Sequence, residues 1–225
     1  MRRPLILVGS ALLAVVSEAA VVQGTVAIPE GFEAEIDTTP SMWLIENGLV
    51  PIAPPLEDPR TRMVVVLEGG EAAAAAGPSA TVTLRDMRLD PRVLPVTVGT
   101  AVDFKNEDRS VHALYSPGDS RFAAQPQAPG GLRTHRFDRA GAYEIRCKEV
   151  PHVRGVVLVL AGGLFALPQS GGGFRLENVP AGTYTLRVWY AGDFIHTQAV
   201  EVGAGDAPSA QIDVTLAARK AAKTP

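Results

Sequence analysis

Cys147-Lys-Glu-Val-Pro-His152-Val-Arg-Gly155 lies between two strand-like runs, Ala142-Tyr-Glu-Ile-Arg146 before it and Val156-Val-Leu-Val-Leu160 after it. It therefore reads as the connecting loop of a hairpin. The loop carries the one cysteine of the chain, and a histidine follows five residues later. A thiolate and an imidazole on a tight loop can grip a soft metal ion, with a third donor supplied from elsewhere. His112 is the candidate for that donor. Two imidazole nitrogens and a thiolate in a trigonal arrangement form the core of an electron-transfer copper site. A lone cysteine beside a strand is also at home as a small buried hydrophobe, so both readings stand at this point.

Working outward, residues 79–161 are a series of short alternating runs separated by turn residues. Ala80-Thr-Val-Thr-Leu84, Arg92-Val-Leu-Pro-Val-Thr-Val98, Ala101-Val-Asp-Phe-Lys105, Val111-His-Ala-Leu-Tyr115 and Leu132-Arg-Thr-His-Arg-Phe137 all have strand character. Pro95 places its strand at a sheet edge or a bulge, because proline cannot donate to a ladder. Strands at this spacing predict a β-sandwich. The 22 glycines and 18 prolines in 225 residues suit a turn-rich all-β chain, and 46% hydrophobic residues suffice for a core.

A net charge of −3 gives no electrostatic case for nucleic acid. One cysteine excludes an internal disulfide framework. Residues 1–20 read as an export signal: Arg2 and Arg3, an apolar segment from Pro4 to Val16, then Ser17-Glu-Ala-Ala20 as the small-residue cleavage region. The apolar segment is short for a bilayer span. The mature chain is expected in a bacterial periplasm or secreted, with no membrane span after cleavage. An uncleaved anchor is the alternative.

Toward the ends, Val21-Val-Gln-Gly-Thr-Val-Ala-Ile28 and Met63-Val-Val-Val-Leu67 read as strands, the second buried. Met42-Trp-Leu-Ile-Glu46 reads as a short packed segment and Ala72 to Ala76 as a linker. Strands are also expected at Leu164-Phe-Ala-Leu167, Gly173 to Glu177, Gly182 to Trp189, Thr197 to Val202 and Ala210 to Leu216, with a frayed basic tail at 217–225.

Residues 80–160 resemble the cupredoxin family, most closely its amicyanin- and plastocyanin-like members. The resemblance is carried by Leu94-Pro-Val-Thr-Val-Gly-Thr-Ala-Val-Asp-Phe-Lys-Asn106, by Glu107-Asp-Arg-Ser-Val-His112-Ala-Leu-Tyr-Ser116, and by Phe137-Asp-Arg-Ala-Gly-Ala-Tyr-Glu-Ile-Arg-Cys147. It implies a Greek-key sandwich and copper ligands at His112 and Cys147. The ligand loop departs from the family pattern: where an amicyanin-like loop has its second histidine and axial methionine, this chain has Val150 and Val153. His152 sits at an azurin-like spacing from Cys147 and could supply the second imidazole. His112, Cys147 and His152 are thus the expected metal ligands, and loss of the thioether donor favours Cu(I). Alternatively Val150 points inward, His152 faces solvent, and the copper site is degenerate. Arg146, Lys148 and Arg154 flank the loop, suited either to solvent or to docking an acidic redox partner protein.

Gly173-Phe-Arg-Leu-Glu-Asn-Val-Pro-Ala-Gly-Thr-Tyr-Thr-Leu-Arg-Val-Trp189 resembles the carboxypeptidase regulatory-like, or transthyretin-like, β-sandwich. That family opens on a Gly-Thr-Val strand, which Gln23-Gly-Thr-Val-Ala-Ile28 fits. The expected organisation is a signal at 1–20, a transthyretin-like sandwich split between 21–70 and 162–216, a cupredoxin-like domain at 79–161 inserted in it, and the tail. A simple succession of two domains is the alternative. Chains with this pairing are often labelled methylamine-utilisation-like, which implies no methylamine chemistry. No phosphate loop, Ser-His-Asp order or H-E-x-x-H pattern is present, so no enzyme is expected. His135 and His196 read as surface or packing residues, and Asp103, Glu107, Asp108 and Asp119 as turn carboxylates. The expected function is copper-based electron transfer or copper carriage. A metal-free binding scaffold is the alternative.

Overall fold

The computed structural model describes residues 20–34, 58–70, 77–203 and 209–218. Nearly all of the expected signal, the segment at Met42, the alanine run and residues 219–225 of the tail lie outside the described residues. The described chain is all-β apart from one 3-10 turn, Pro59–Arg62. Its strands are β1 (Ala20–Ala27), β2 (Val64–Gly69), β3 (Ala80–Arg85), β4 (Arg88–Asp90), β5 (Val93–Thr97), β6 (Ala101–Asn106), β7 (Leu114–Tyr115), β8 (Leu132–Arg136), β9 (Gly141–Cys147), β10 (Arg154–Leu160), β11 (Leu164–Ala166), β12 (Gly173–Val179), β13 (Gly182–Tyr190), β14 (Asp193–Val202) and β15 (Ser209–Thr215).

These strands make four sheets: β12-β1-β15, β11-β2-β13-β14, β5-β10-β9-β7 and β4-β3-β6-β8. The first two sheets enclose one core, with Val22, Val26, Val65, Leu67, Phe174, Leu176, Tyr184 and Leu186 among its members. The last two enclose another, built on Val82, Leu84, Phe104, Phe122, Phe137, Ile145, Cys147 and Val157. β1 lies antiparallel to β12 and parallel to β15, while β2 lies between β11 and β13. Strands from both ends of the chain therefore share sheets, and β3 to β10 pair among themselves.

Two runs that are apolar at every position, residues 63–67 and 156–160, acquire a reason. A strand alternates its side chains between faces, so a continuous apolar run means that both faces are covered. Met63, Val65 and Leu67 point into the first core. Val64 and Val66 point the other way and meet Val93, Leu158, Leu160 and Trp189 in a third apolar cluster. Val157 and Val159 of the same β10 face the second core. The two sandwiches are thus joined by a dry layer that uses the second faces of β2 and β10. Truncation of Leu158, which is 3% exposed, to alanine is expected to cost about 2–3 kcal/mol of unfolding free energy. Urea unfolding followed by tryptophan fluorescence checks this.

Pro95 lies on β5, an edge strand, as its missing donor requires. Gly24 of the Gly-Thr-Val strand lies so close to β15 that a Cβ there would stand 1.7 Å from the Ile212 carbonyl oxygen, so only glycine fits. Tyr184 donates its hydroxyl to the Pro180 carbonyl at 2.8 Å and Tyr143 to Arg139 at 3.0 Å. Each ties the start of a strand to its preceding turn, one in each sandwich. The expected strand at residues 111–115 is shorter than its sequence suggested. Only Leu114 and Tyr115 join a sheet, because the backbone of His112 turns aside to exchange hydrogen bonds with Gln127, at 3.2 and 2.8 Å.

Candidate metal centre

Asn106, at the end of β6, organises the turn that carries the first site residue. It is 1% exposed. Its amide nitrogen donates to the carbonyls of Ser110 and Gln127, both at 2.9 Å, and its oxygen accepts the Asp108 amide at 3.0 Å. The turn is thereby closed from within, and Asp108 is aimed at His112. Asp108 Oδ2 stands 3.0 Å from His112 Nε2 and also accepts the Met87 amide at 3.0 Å. Ser110 Oγ lies 3.2 Å from the same ring nitrogen. The carboxylate at Nε2 assigns the ring proton there, which leaves the Nδ1 lone pair facing inward.

Facing Nδ1 at 3.6 Å is Cys147 Sγ. Both residues are buried, His112 at 1% and Cys147 at 4% exposure. β9 ends at Cys147 beside β7, where Leu114 pairs with Cys147. The Lys148 amide donates to the Ala113 carbonyl at 3.1 Å, so the two site segments are held together by backbone. Burial pushes the Cys147 thiol above its usual range, while the amides of Val150, Ala113 and Glu149 directed at the sulfur pull the other way. The net result is a protonated thiol in the metal-free protein, with donors placed to stabilise a thiolate.

Glu149 follows the cysteine by two residues. It lies at the surface, yet its Oε2 turns in, accepting the Ala113 amide at 2.7 Å and the Cys147 thiol at 3.3 Å. Burial raises its pKa, but the Ala113 amide, the thiol, its own amide and the nearby His112 outweigh that and hold it below the ordinary carboxylate range.

Of the three expected ligands, the structure brings His112 and Cys147 together. His152 is half-buried in the turn at residues 151–152. Among the described residues no group of three His, Cys, Asp or Glu side chains is arranged to hold a metal ion, so the expected trio is not assembled as a cage. Val153, at the methionine position, is wholly buried in the same core as Cys147, and Val150 packs against that core. They add apolar packing to the core that Cys147 shares. Asp108 was legible only as a turn carboxylate, and Glu149 was given no role. The one signal for Glu149 was its place two residues after the cysteine.

The other histidines pack. His135 lies 4.9 Å from the Phe122 ring and 4.7 Å from Phe137, with Nε2 3.0 Å from Asp119 Oδ2. His196 Nε2 contacts Gln198 Oε1 at 2.9 Å. Hydrogen bonds from Arg121, and from His135 against the opposing effect of burial, lower the Asp119 pKa to about 2. An unfolded aspartate titrates at about 3.9. The stabilisation from Asp119 is therefore complete above about pH 4 and is lost as the pH falls through about 2. Because Arg121 is 55% exposed, the effect is screened to on the order of 1 kcal/mol. Urea unfolding at pH 5 and pH 2.5 is expected to show a steeper acid loss for the parent chain than for Asp119→Asn.

Solved structures similar to this chain are cupredoxins. The purple cupredoxin of Nitrosopumilus maritimus matches at 24% identity over 36% of this chain and 100% of its own, with a TM-score of 0.33. A reduced amicyanin variant matches at 27% identity over 40% of this chain and 89% of its own, TM-score 0.34. A reduced Cu(I) amicyanin variant matches at 20% identity over 43% and 98%, TM-score 0.34. No protein-family model matches the sequence, and no curated protein does. Among the described residues no helix is long and apolar enough to cross a membrane.

Proposed function

We propose that this is an exported cupredoxin-like protein in which His112 and Cys147 hold copper, for electron transfer or copper carriage. The observation that carries the reading is the pair itself: Nδ1 faces Sγ at 3.6 Å while Asp108 engages Nε2. A metal-binding histidine is commonly oriented in this way by a carboxylate on its other nitrogen. Imidazole and thiolate are donors suited to copper, so these two residues fit the ion, and copper would supply a one-electron couple. Asp108 fixes the ring and its tautomer. The three amides around Cys147 favour the thiolate, and Val150 and Val153 add apolar packing to the core that Cys147 shares.

In this reading residues 79–161 are the cupredoxin-like domain, inserted into a transthyretin-like sandwich formed by 21–70 and 162–216. The ladders joining β1 and β2 to β11–β15 support that division. Residues 1–20 direct export to the periplasm or beyond the cell. A redox partner would meet the loop flanked by Arg146, Lys148 and Arg154. Glu144 pairs with Arg146 at 2.6 Å and lies 3.7 Å from Arg154, which offsets part of that charge.

The second reading is a metal-free scaffold on the same fold. It is favoured by the absence of an assembled three-residue cage among the described residues and by the buried valine at position 153. Purified protein titrated with Cu(II), and separately with Cu(I) under reducing conditions, decides between them. An intense thiolate-to-copper band with retained metal supports the copper site. No band and no retained metal in either state leaves the scaffold.

A further inference from the structure

We infer that the surface cavity beside Gly118 and Tyr143 is a binding site for a small zwitterion of the free α-amino acid class. No metal enters this site. The cavity has a volume of about 500 Å³ and is lined by the loop at residues 118–121, by Asp138 and Arg139, and by Tyr143. That volume lies in the range of small-molecule sites. Its walls are fixed. The Asp119 carboxylate accepts Arg121 Nε at 3.2 Å, Nη2 at 3.1 Å and the Arg121 backbone amide at 3.0 Å. Nη1 of the same guanidinium meets Asp138. The Tyr143 hydroxyl donates to the Arg139 carbonyl at 3.0 Å. Loop and turn are thus tied together before a ligand arrives, which lowers the cost of binding one.

The charges choose the ligand class. The lining carries two guanidinium groups and two carboxylates, those of Arg121, Arg139, Asp119 and Asp138. A simple anion there faces both carboxylates, and a simple cation faces both guanidinium groups, so a net charge of either sign gains little. Asp138 and Arg139 are neighbours in one turn and both are exposed. They present an anion and a cation side by side, which an ammonium and a carboxylate on one small molecule match. The second observation is a buried hydroxyl with no partner. Ser116 is 4% exposed, and its Oγ makes no hydrogen bond to any described residue. It lies 3.8 Å from the position that a Cβ on Gly118 would take, and Tyr143 Cδ1 lies 3.6 Å from the same point. Both are ordinary contact distances, and Gly118 is not among the glycines with positive φ. Neither space nor backbone therefore demands glycine here. The missing side chain leaves open the space beside the Ser116 hydroxyl. A buried hydroxyl without a partner costs stability, and a charged ligand group that reaches it offsets that cost.

The test titrates the isotope-labelled full chain with L-alanine, L-leucine and L-phenylalanine, followed by amide chemical shifts. N-acetyl-L-phenylalanine and L-phenylalanine amide, each lacking one of the two charges, serve as controls. At least one amino acid is expected to give saturable shifts centred on residues 116–121 and 138–143, and both controls are expected to bind about tenfold or more weakly than L-phenylalanine. Arg139→Gln is expected to weaken binding by a similar factor. Ser116→Ala is expected to raise the urea midpoint of the ligand-free chain and yet weaken binding, a pair of opposite effects that a purely structural serine does not give. Gly118→Ala is expected to leave the urea midpoint unchanged and to weaken binding by filling the space beside Ser116. No saturable shift with any of the three amino acids overturns the inference. So do shifts centred elsewhere, controls that bind as tightly as L-phenylalanine, or affinity unchanged in both Arg139→Gln and Ser116→Ala.

Discussion

Cys147→Ala is expected to abolish the visible thiolate-to-copper band and reduce retained copper to background after dialysis, while the protein stays folded. The sulfur is the one thiol of the chain, and the loop that follows it carries no methionine. Without it, a single imidazole, that of His112, is left as a weak site for copper. The structural cost is modest. Cys147 is 4% exposed in a core of Leu114, Ile145, Val153 and Val157, so the change leaves a one-atom void worth about 1–2 kcal/mol. Metal binding to N but not to U also raises stability by mass action. Copper is therefore expected to raise the urea midpoint of the parent chain and not that of the variant. Equal midpoints with and without copper in the parent chain, together with no band, would return the protein to the scaffold reading.

Asn106→Ala is expected to lower the unfolding free energy by about 2–3 kcal/mol and to loosen His112 at the same time. The side chain is 1% exposed, and its loss leaves the Ser110 carbonyl without the donor it now has at 2.9 Å and the Gln127 carbonyl with the His112 amide alone. Each buried acceptor left unsatisfied costs about 1–3 kcal/mol. The Asp108 amide also loses its acceptor, which frees Asp108 from its aim on His112 Nε2. Gln127 holds part of the turn through its own bonds to the Phe104 and Gly131 carbonyls, at 2.8 and 2.6 Å, so the loop is expected to fray and not to unfold outright. Urea denaturation gives the first quantity. The Cu(II) dissociation constant at a temperature where the variant remains folded gives the second, expected to weaken about tenfold or more.

The two effects differ in kind because the residues differ in reach. Cys147 would act on the metal directly and little on the fold. Asn106 acts on the fold, and on His112 only through Asp108 and the turn. A variant that lost copper without losing stability at position 106 would contradict this division.

Local pattern carried much of the architecture. Alternation with turn residues between runs identified the all-β class and most strands, because the period of two is imposed by the backbone wherever one face is buried. Pro95 announced its edge strand for the same local reason. Gly24 was legible as part of a motif, but the need for glycine there is the approach of Ile212, nearly the whole chain away. Likewise, residues 63–67 and 156–160 read as buried strands, while what covers their second faces is a partner run from the other sandwich. A sequence records that a face is apolar, not which distant face meets it.

For the candidate site, sequence alone determined which side chains are at hand: one cysteine on a hairpin loop, a histidine in an Asn/Asp-rich turn, and valines at 150 and 153. Only the tertiary structure decided which of these side chains meet. Backbone pairing of β7 with β9 brings His112 and Cys147 to 3.6 Å, and Asn106 turns Asp108 onto the ring. The Ala113 amide draws Glu149 beside the sulfur. Spacing along a loop fixes how far a side chain can reach, but direction depends on hydrogen bonds to other segments, and those exist only once the strands have paired.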